Sequence, residues 1–158
     1  MITQEELNIK EKIHNSLGQH LIFNINQVSH LFARKVNREL SKSGSSLQIE
    51  QFPILFVIAY STEGALSQQD IANFLQKDKS GIQRSLKTLE WDGYLRITAD
   101  DNDRRKNLVQ LTPAGKLTID QIAEKAAQLN REVTAQLTPE EISTMRSLLK
   151  KITHTLDN

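Results

Sequence analysis

SQQDIANFLQKDKSGIQRSLKTLEWDG, residues 67–93, holds two short helices separated by a polar turn. Ser67 with Asp70 three residues on resembles a capping box, which starts a helix carrying Ile71, Ala72, Phe74 and Leu75. Gln76, Lys77 and Asp78 break that apolar pattern. A second helix then places Ile82, Leu86 and Leu89 at i, i+4 and i+7, a single stripe that faces inward. Its outer face carries Lys79, Ser80, Gln83, Arg84 and Lys87, donors and cations of the kind that reach phosphates and base edges. Asp92-Gly93 closes the helix, because glycine tolerates the left-handed conformation that commonly ends one.

Two helices in this order are a helix-turn-helix reading, with the second as the candidate for the major groove. The following stretch strengthens it. Leu95-Arg96-Ile97-Thr98 and Asn107-Leu108-Val109-Gln110-Leu111 read as two short strands. Between them a polar tip ends in the consecutive cations Arg104, Arg105 and Lys106, so a basic hairpin projects beside the recognition helix. Helix, helix and basic hairpin make a winged helix.

These residues carry a resemblance to the MarR family of bacterial transcription regulators. It rests on Leu66-Ser67-Gln68-Gln69-Asp70-Ile71-Ala72, on Leu89-Glu90-Trp91-Asp92-Gly93-Tyr94-Leu95, and above all on Asp103-Arg104-Arg105 followed by Leu108-Val109-Gln110-Leu111-Thr112 and Gly115. The last group resembles the family's wing signature, and the element order at both ends fits, so the resemblance covers nearly the whole chain. It implies that Arg105 enters the minor groove and that Asp103 orients it. Where many members carry a further arginine near the start of the wing, this chain has Asn102.

Composition describes an ordinary soluble protein. A chain of 158 residues, 38% hydrophobic and 25% charged, suits one domain with a proper core, or a small domain plus a dimerisation element, and not two large domains. The longest purely apolar run, Ile54 to Ala59, is far shorter than the roughly 20 residues that span a bilayer. The first residues lack the basic and then apolar regions of a signal peptide, and the expected location is the cytoplasm. The absence of cysteine excludes disulfides, thiolate metal sites and a thiol redox switch. A net charge of +1 looks unpromising for a nucleic-acid binder until it is divided along the chain. Cations and anions balance at six each in residues 1–66 and again in 107–158, residues 67–76 hold only Asp70, and residues 77–106 carry eight cations against six anions. The surplus sits in the segment proposed to read DNA.

Around that segment the chain divides into an N-terminal helical part of a dimerisation domain (1–42), the winged helix-turn-helix (46–112) and C-terminal dimerisation helices (113–158). The expected fold class is mainly α with a small β wing. From about Ile9 to Leu40 the pattern predicts one long helix, with an interruption at Asn15-Ser16-Leu17-Gly18 where Ser16 can cap a new start. His14, His20 and His30 lie on or near it, and none forms a compelling ligand pair with a carboxylate. Ser41 to Ser46 read as a loop. Phe52, Leu55, Phe56, Ile58 and Ala59 then make a strongly apolar helix in which Pro53 predicts a tight first turn or a kink. Ala65-Leu66 is a candidate short strand against the wing. Thr112-Pro113 and Thr138-Pro139-Glu140-Glu141 are both helix starts. After the first, Ile122, Ala126, Leu129 and Val133 recur at helical spacing. After the second, Ile142, Met145, Leu149, Ile152 and Leu156 form a narrow seam of the coiled-coil kind. With Leu17 and Leu21 these residues are the candidate dimer contacts, against the alternative of an intramolecular helical layer.

The expected function is a homodimeric, sequence-specific regulator of double-stranded DNA, read as a repressor of an inverted repeat. Ser80, Gln83 and Arg84 are assigned mainly to base edges, and Lys79 and Lys87 to phosphates or base edges. Gln68 and Gln69 are assigned to phosphates, Arg105 to the minor groove, and Arg104 and Lys106 to backbone attraction. The resemblance also implies release of DNA by a small-molecule effector bound between the dimerising and DNA-reading parts. Nothing in the sequence marks that pocket; Tyr60, the N-terminal histidines and Trp91 are candidates, each also readable as a plain core or surface residue. No metal or cofactor is called for. An enzyme is disfavoured, since no zinc-protease motif, phosphate loop or nucleophile elbow occurs. A winged helix that binds protein instead of DNA remains the rival, and it would call for an apolar outer face on the second helix.

Overall fold

A computed structural model describes residues 3–61, 65–100 and 106–157 of the chain. The expected long first helix is two: α1 (Gln4–Leu17) and α2 (Leu21–Lys42). Thr3 and Glu6 form a capping box that starts α1 before Ile9, and Ser16 lies inside α1 instead of capping a second helix. The break falls at 18–20, where the Gly18 carbonyl accepts a side-chain hydrogen bond from Asn24 at 3.0 Å and the His20 N–H donates to Leu17 O. The next loop begins two residues later than read, because α2 runs through Lys42 before Ser43 caps it. A 3-10 turn (Ile49–Gln51) leads into α3 (Phe52–Tyr60), and Pro53 sits in the first turn, where its missing N–H costs nothing. It is a tight start, not a kink.

Next come β1 (Leu66–Ser67), α4 (Gln68–Phe74), α5 (Lys79–Trp91), β2 (Leu95–Ala99) and β3 (Asn107–Leu111). The sheet has the order β1-β3-β2 and is antiparallel, with Leu66 opposite Val109 and Ile97 also opposite Val109 on the other side. The Ala65-Leu66 expectation thus becomes a two-residue strand against the wing. Two long helices follow, α6 (Pro113–Thr134) and α7 (Pro139–Leu156), each started by a threonine that accepts a backbone N–H three residues on.

One core joins the winged-helix unit to the helical arms. Ile54, Leu55, Ile71, Ile82, Leu86, Leu89, Leu95 and Val109 fill its centre, and Leu40 of α2 with Ile119 and Ile122 of α6 close it from the side. Lys35 of α2 and Glu132 of α6 pair on the surface at 3.1 Å, and the Lys125 ammonium of α6 donates to Ser43 Oγ at the end of α2. The arms themselves are differently placed, since α1 and α7 bury no residue at all. Of the candidate dimer contacts, Ile142 and Ile152 are half-buried, while Leu17, Leu21, Met145, Leu149 and Leu156 stand exposed.

Candidate nucleic-acid interface

The first helix of the motif starts as its sequence asks. The Ser67 hydroxyl accepts the Asp70 N–H, and the Asp70 carboxylate accepts both the Ser67 N–H at 3.0 Å and the Ser67 hydroxyl at 2.6 Å. How α4 stops is less legible. The Lys77 N–H reaches Ala72 O and the Gln76 N–H reaches Asn73 O, a Schellman closure that puts Gln76 at φ 50°. A non-glycine residue there costs on the order of 1 kcal/mol. This left-handed residue is what swings the chain from α4 into α5.

Asp78 then caps α5, its carboxylate accepting the Gly81 N–H at 2.7 Å. Ile82, Leu86 and Leu89 are essentially sealed from solvent, so the opposite face is fixed outward. Ser80, Gln83, Arg84 and Lys87 on that face and its flank are exposed, as the spacing predicts, and Lys79, three residues before Ile82 and on the stripe's own side, is exposed because it opens the helix. Among the described residues no carboxylate pairs with Lys79, Arg84 or Lys87. The far end closes through a second Schellman pair, Tyr94 N–H to Leu89 O and Gly93 N–H to Glu90 O, with Gly93 at φ 81°. The two acids at this end are both engaged. The Glu90 carboxylate accepts the Ile97 N–H of edge strand β2 at 2.8 Å, and that of Asp92 accepts the Ser46 hydroxyl at 2.8 Å.

Gln68 and Gln69 occupy the first turn of α4. Gln68 is half-buried, and the Gln69 amide donates to Asn73 Oδ1 at 2.8 Å, so reaching a phosphate requires Gln69 to leave that bond. Phe74, grouped by the pattern with the apolar residues of this helix, is exposed. In the wing, the pairing of β2 with β3 continues past Ala99 through the Asp100 N–H to Lys106 O. Lys106 is exposed, whereas Asp103, Arg104 and Arg105 lie outside the described residues. Lys77, in the turn just before α5, is an exposed cation to which the sequence pattern gives no role.

Asp70 carries a pH consequence. The Ser67 hydroxyl, then the Ser67 N–H, and more weakly the charge of Lys106 hold its carboxyl below the ordinary carboxylate value. A depressed folded value means that the contribution is present above the unfolded value of about 4 and is lost as pH falls through the folded value. Melting temperature is therefore expected to drop on acidification below about pH 4, and less steeply in Asp70→Asn. Parallel thermal melts at neutral pH and through the acid range read the difference. Equal slopes in the two proteins would remove Asp70 from the acid response.

The effector candidates separate. Tyr60 stacks on Phe56 and borders an open cleft of about 630 Å3 with Gln110, Lys116 and Asp120. His14 and His30 border a cleft between α1 and α2, and Trp91, 90% exposed, lines neither of these clefts. A small apolar cavity of about 120 Å3 lies where α2, α3 and α6 meet, walled by Phe32, Val36, Leu40, Phe52, Ile122 and Leu129. Among the described residues no group of three His, Cys, Asp or Glu could hold a metal, and no helix is long and apolar enough to cross a membrane.

Comparison with known proteins places this arrangement. A sequence profile described as MarR family matches residues 45–106. The multiple antibiotic resistance protein MarR of Salmonella typhimurium is 28% identical over 132 residues, spanning 83% of this chain and 92% of that protein. YwoH of Bacillus subtilis, an uncharacterised HTH-type transcriptional regulator, is 29% identical over 125 residues, 79% of this chain and 88% of its own. A crystal structure of a mutant Escherichia coli MarR complexed with operator DNA superposes with a TM-score of 0.72 at 27% identity, covering 89% of this chain and 96% of that one.

Proposed function

We infer, for a chain that belongs to the MarR family of transcription regulators, that it acts as a homodimeric repressor of an inverted-repeat operator. The observation that carries this reading is the outer face of α5, where the exposed Ser80, Gln83, Arg84 and Lys87 stand away from a sealed apolar stripe and beside a paired wing, with Lys79 exposed at the helix start. Two such helices related by a twofold would enter successive major grooves, so the half-sites are spaced roughly 10 base pairs apart. Ser80, Gln83 and Arg84 read mainly base edges; Lys79 and Lys87 hold phosphates or base edges, and the first turn of α4 holds phosphates; Arg105 enters the minor groove, with Asp103 orienting it as the family resemblance implies; and Arg104 and Lys106 add backbone attraction. The exposed apolar residues of α1 and α7 support a second copy as the partner that covers them. A small effector would act at the junction of α2, α3 and α6, where an apolar cavity lies between the arms and the reading unit.

Fluorescence anisotropy of a labelled duplex from the protein's own promoter, against a scrambled duplex across a salt series, tests the reading. Promoter affinity is expected to fall steeply with salt, with the scrambled duplex bound on the order of 10³-fold more weakly. Should the promoter not be its site, random-site selection recovers one. Weak binding to every duplex, selected ones included, would favour the protein-binding rival. Within the same assay, Arg105→Ala is expected to weaken binding to all duplexes. Gln83→Ala is expected also to relax preference at particular base pairs, by about 1–3 kcal/mol each. Equal loss from both on every sequence would contradict the assigned roles.

A further inference from the structure

Trp91 is the only tryptophan of the chain, it is 90% exposed, and among the described residues it packs in no core. It is absent from the core, and the described ring contacts join only Phe52, Phe56 and Tyr60. The turn that follows it closes through Gly93 and Tyr94, without the indole. Its position on α5 is informative. Ser80, Arg84, Lys87 and Trp91 stand at i, i+4, i+7 and i+11, which is one straight line along the face opposite Ile82, Leu86 and Leu89. The two acids that flank Trp91 in sequence point their carboxylates elsewhere, Glu90 to the Ile97 N–H and Asp92 to the Ser46 hydroxyl. The line therefore holds a hydroxyl, two cations and an indole, and no anion.

We propose that Trp91 is a DNA-contacting residue, its indole packed on the sugar–phosphate backbone at the edge of the major groove that α5 enters. This rests on the reading of α5 as the recognition helix. Eleven residues of helix span about 16 Å, whereas the groove is about 12 Å wide. With Ser80 and Arg84 over base edges, Trp91 reaches the groove wall, where the available groups are deoxyribose rings and phosphate oxygens. An indole suits both, because its ring offers apolar area to the sugar and its N–H is a donor with no acceptor function to repel an anion. Lys87, one turn earlier on the same line, supplies the charge that brings the backbone to it.

Because no second tryptophan contributes, the emission of Trp91 reads the contact directly. The purified full chain is titrated with an unlabelled duplex recovered by random-site selection, while anisotropy of the same duplex carrying fluorescein reports binding. Quenching and a blue shift of emission at saturation are expected, since the indole leaves water. Trp91→Ala is expected to bind selected and scrambled duplexes alike about ten-fold more weakly, the combined scale of the ring's contact with the sugar and one hydrogen bond to a charged group. Its melting temperature and salt slope should be unchanged, because no cation is removed. Lys87→Ala should instead lower the slope by about one. Trp91→Phe, which keeps the ring and loses the N–H, should fall between wild type and Trp91→Ala. Normal duplex binding with the emission of a water-exposed indole would overturn the contact and leave the DNA-binding reading standing. Failure of every duplex to bind would overturn both.

Discussion

Replacing Leu149 by aspartate is expected to yield a monomer and to cut affinity for a duplex with two half-sites by about 10²-fold or more, the scale set by losing the second of two linked contacts. The cause lies in α1 and α7, helices of 14 and 18 residues that bury no residue. Helices in proteins draw most of their stability from packing an apolar side against a partner. On α7, Met145, Leu149 and Leu156 are exposed while Ile142 and Ile152 are only half-covered, and on the N-terminal arm Leu17 and Leu21 are exposed as well. A second copy would cover that surface. An aspartate at 149 disturbs nothing in the central core, from which Leu149 is absent, so the effect falls on association. Sedimentation velocity reads the mass, and anisotropy reads affinity for duplexes with one half-site and with two. A variant that stays dimeric and binds both duplexes like the wild type would move the interface away from this seam.

The motif is legible in the sequence because each of its signals is local. Ile82, Leu86 and Leu89 repeat at the helical period, Ser67 and Asp70 stand at capping-box spacing, and Gly93 follows the last helical turn; all three keep those roles in the fold. Signals that depend on how elements meet are not legible. Ser16 has the chemistry of a cap but sits inside α1, and the true break at 18–20 offers no side-chain cap, only backbone closure and a bond from Asn24. Glutamine at 76 carries no mark of a left-handed turn. Glu90 holds an edge-strand N–H only because the end of α5 lies beside β2. Residue type alone misplaces Phe74 and says little of Trp91, although the spacing of Trp91 from Ser80, Arg84 and Lys87 already puts it on the outward line. The exposure of α1 and α7 is equally out of reach, because periodicity gives a helix an apolar side without saying whether its own chain or another covers it.

Gly115→Ala is expected to destabilise the fold by about 3 kcal/mol, at the upper end of what inserting atoms into a packed site costs. For a chain of this size that lowers the melting temperature by roughly 10 °C. The cause is a crossing of two backbones. Where β2 begins and α6 begins, the Thr112 hydroxyl donates to Gly93 O at 2.6 Å and accepts the Gly115 N–H at 3.0 Å, while the Thr112 N–H donates to Tyr94 O at 3.1 Å. A Cβ on Gly115 would fall inside the surface of the Tyr94 carbonyl oxygen and 3.0 Å from its carbon. Both are backbone atoms, so relief requires α6 to move off β2. That movement draws Ile119 and Ile122 out of the core and turns the arm that carries the candidate seam. Gly93→Ala is the control, since a Cβ there meets nothing within 4 Å and the cost is only that of its φ of +81°, about 1 kcal/mol. Thermal melts of the two variants separate steric crowding from backbone strain, and equal losses would mean that α6 yields freely at its first turn. If crowding prevails, the surviving Gly115→Ala protein should also bind a two-half-site duplex more weakly than Gly93→Ala does, because in the proposed dimer a tilted α6 would displace each α5 along the DNA.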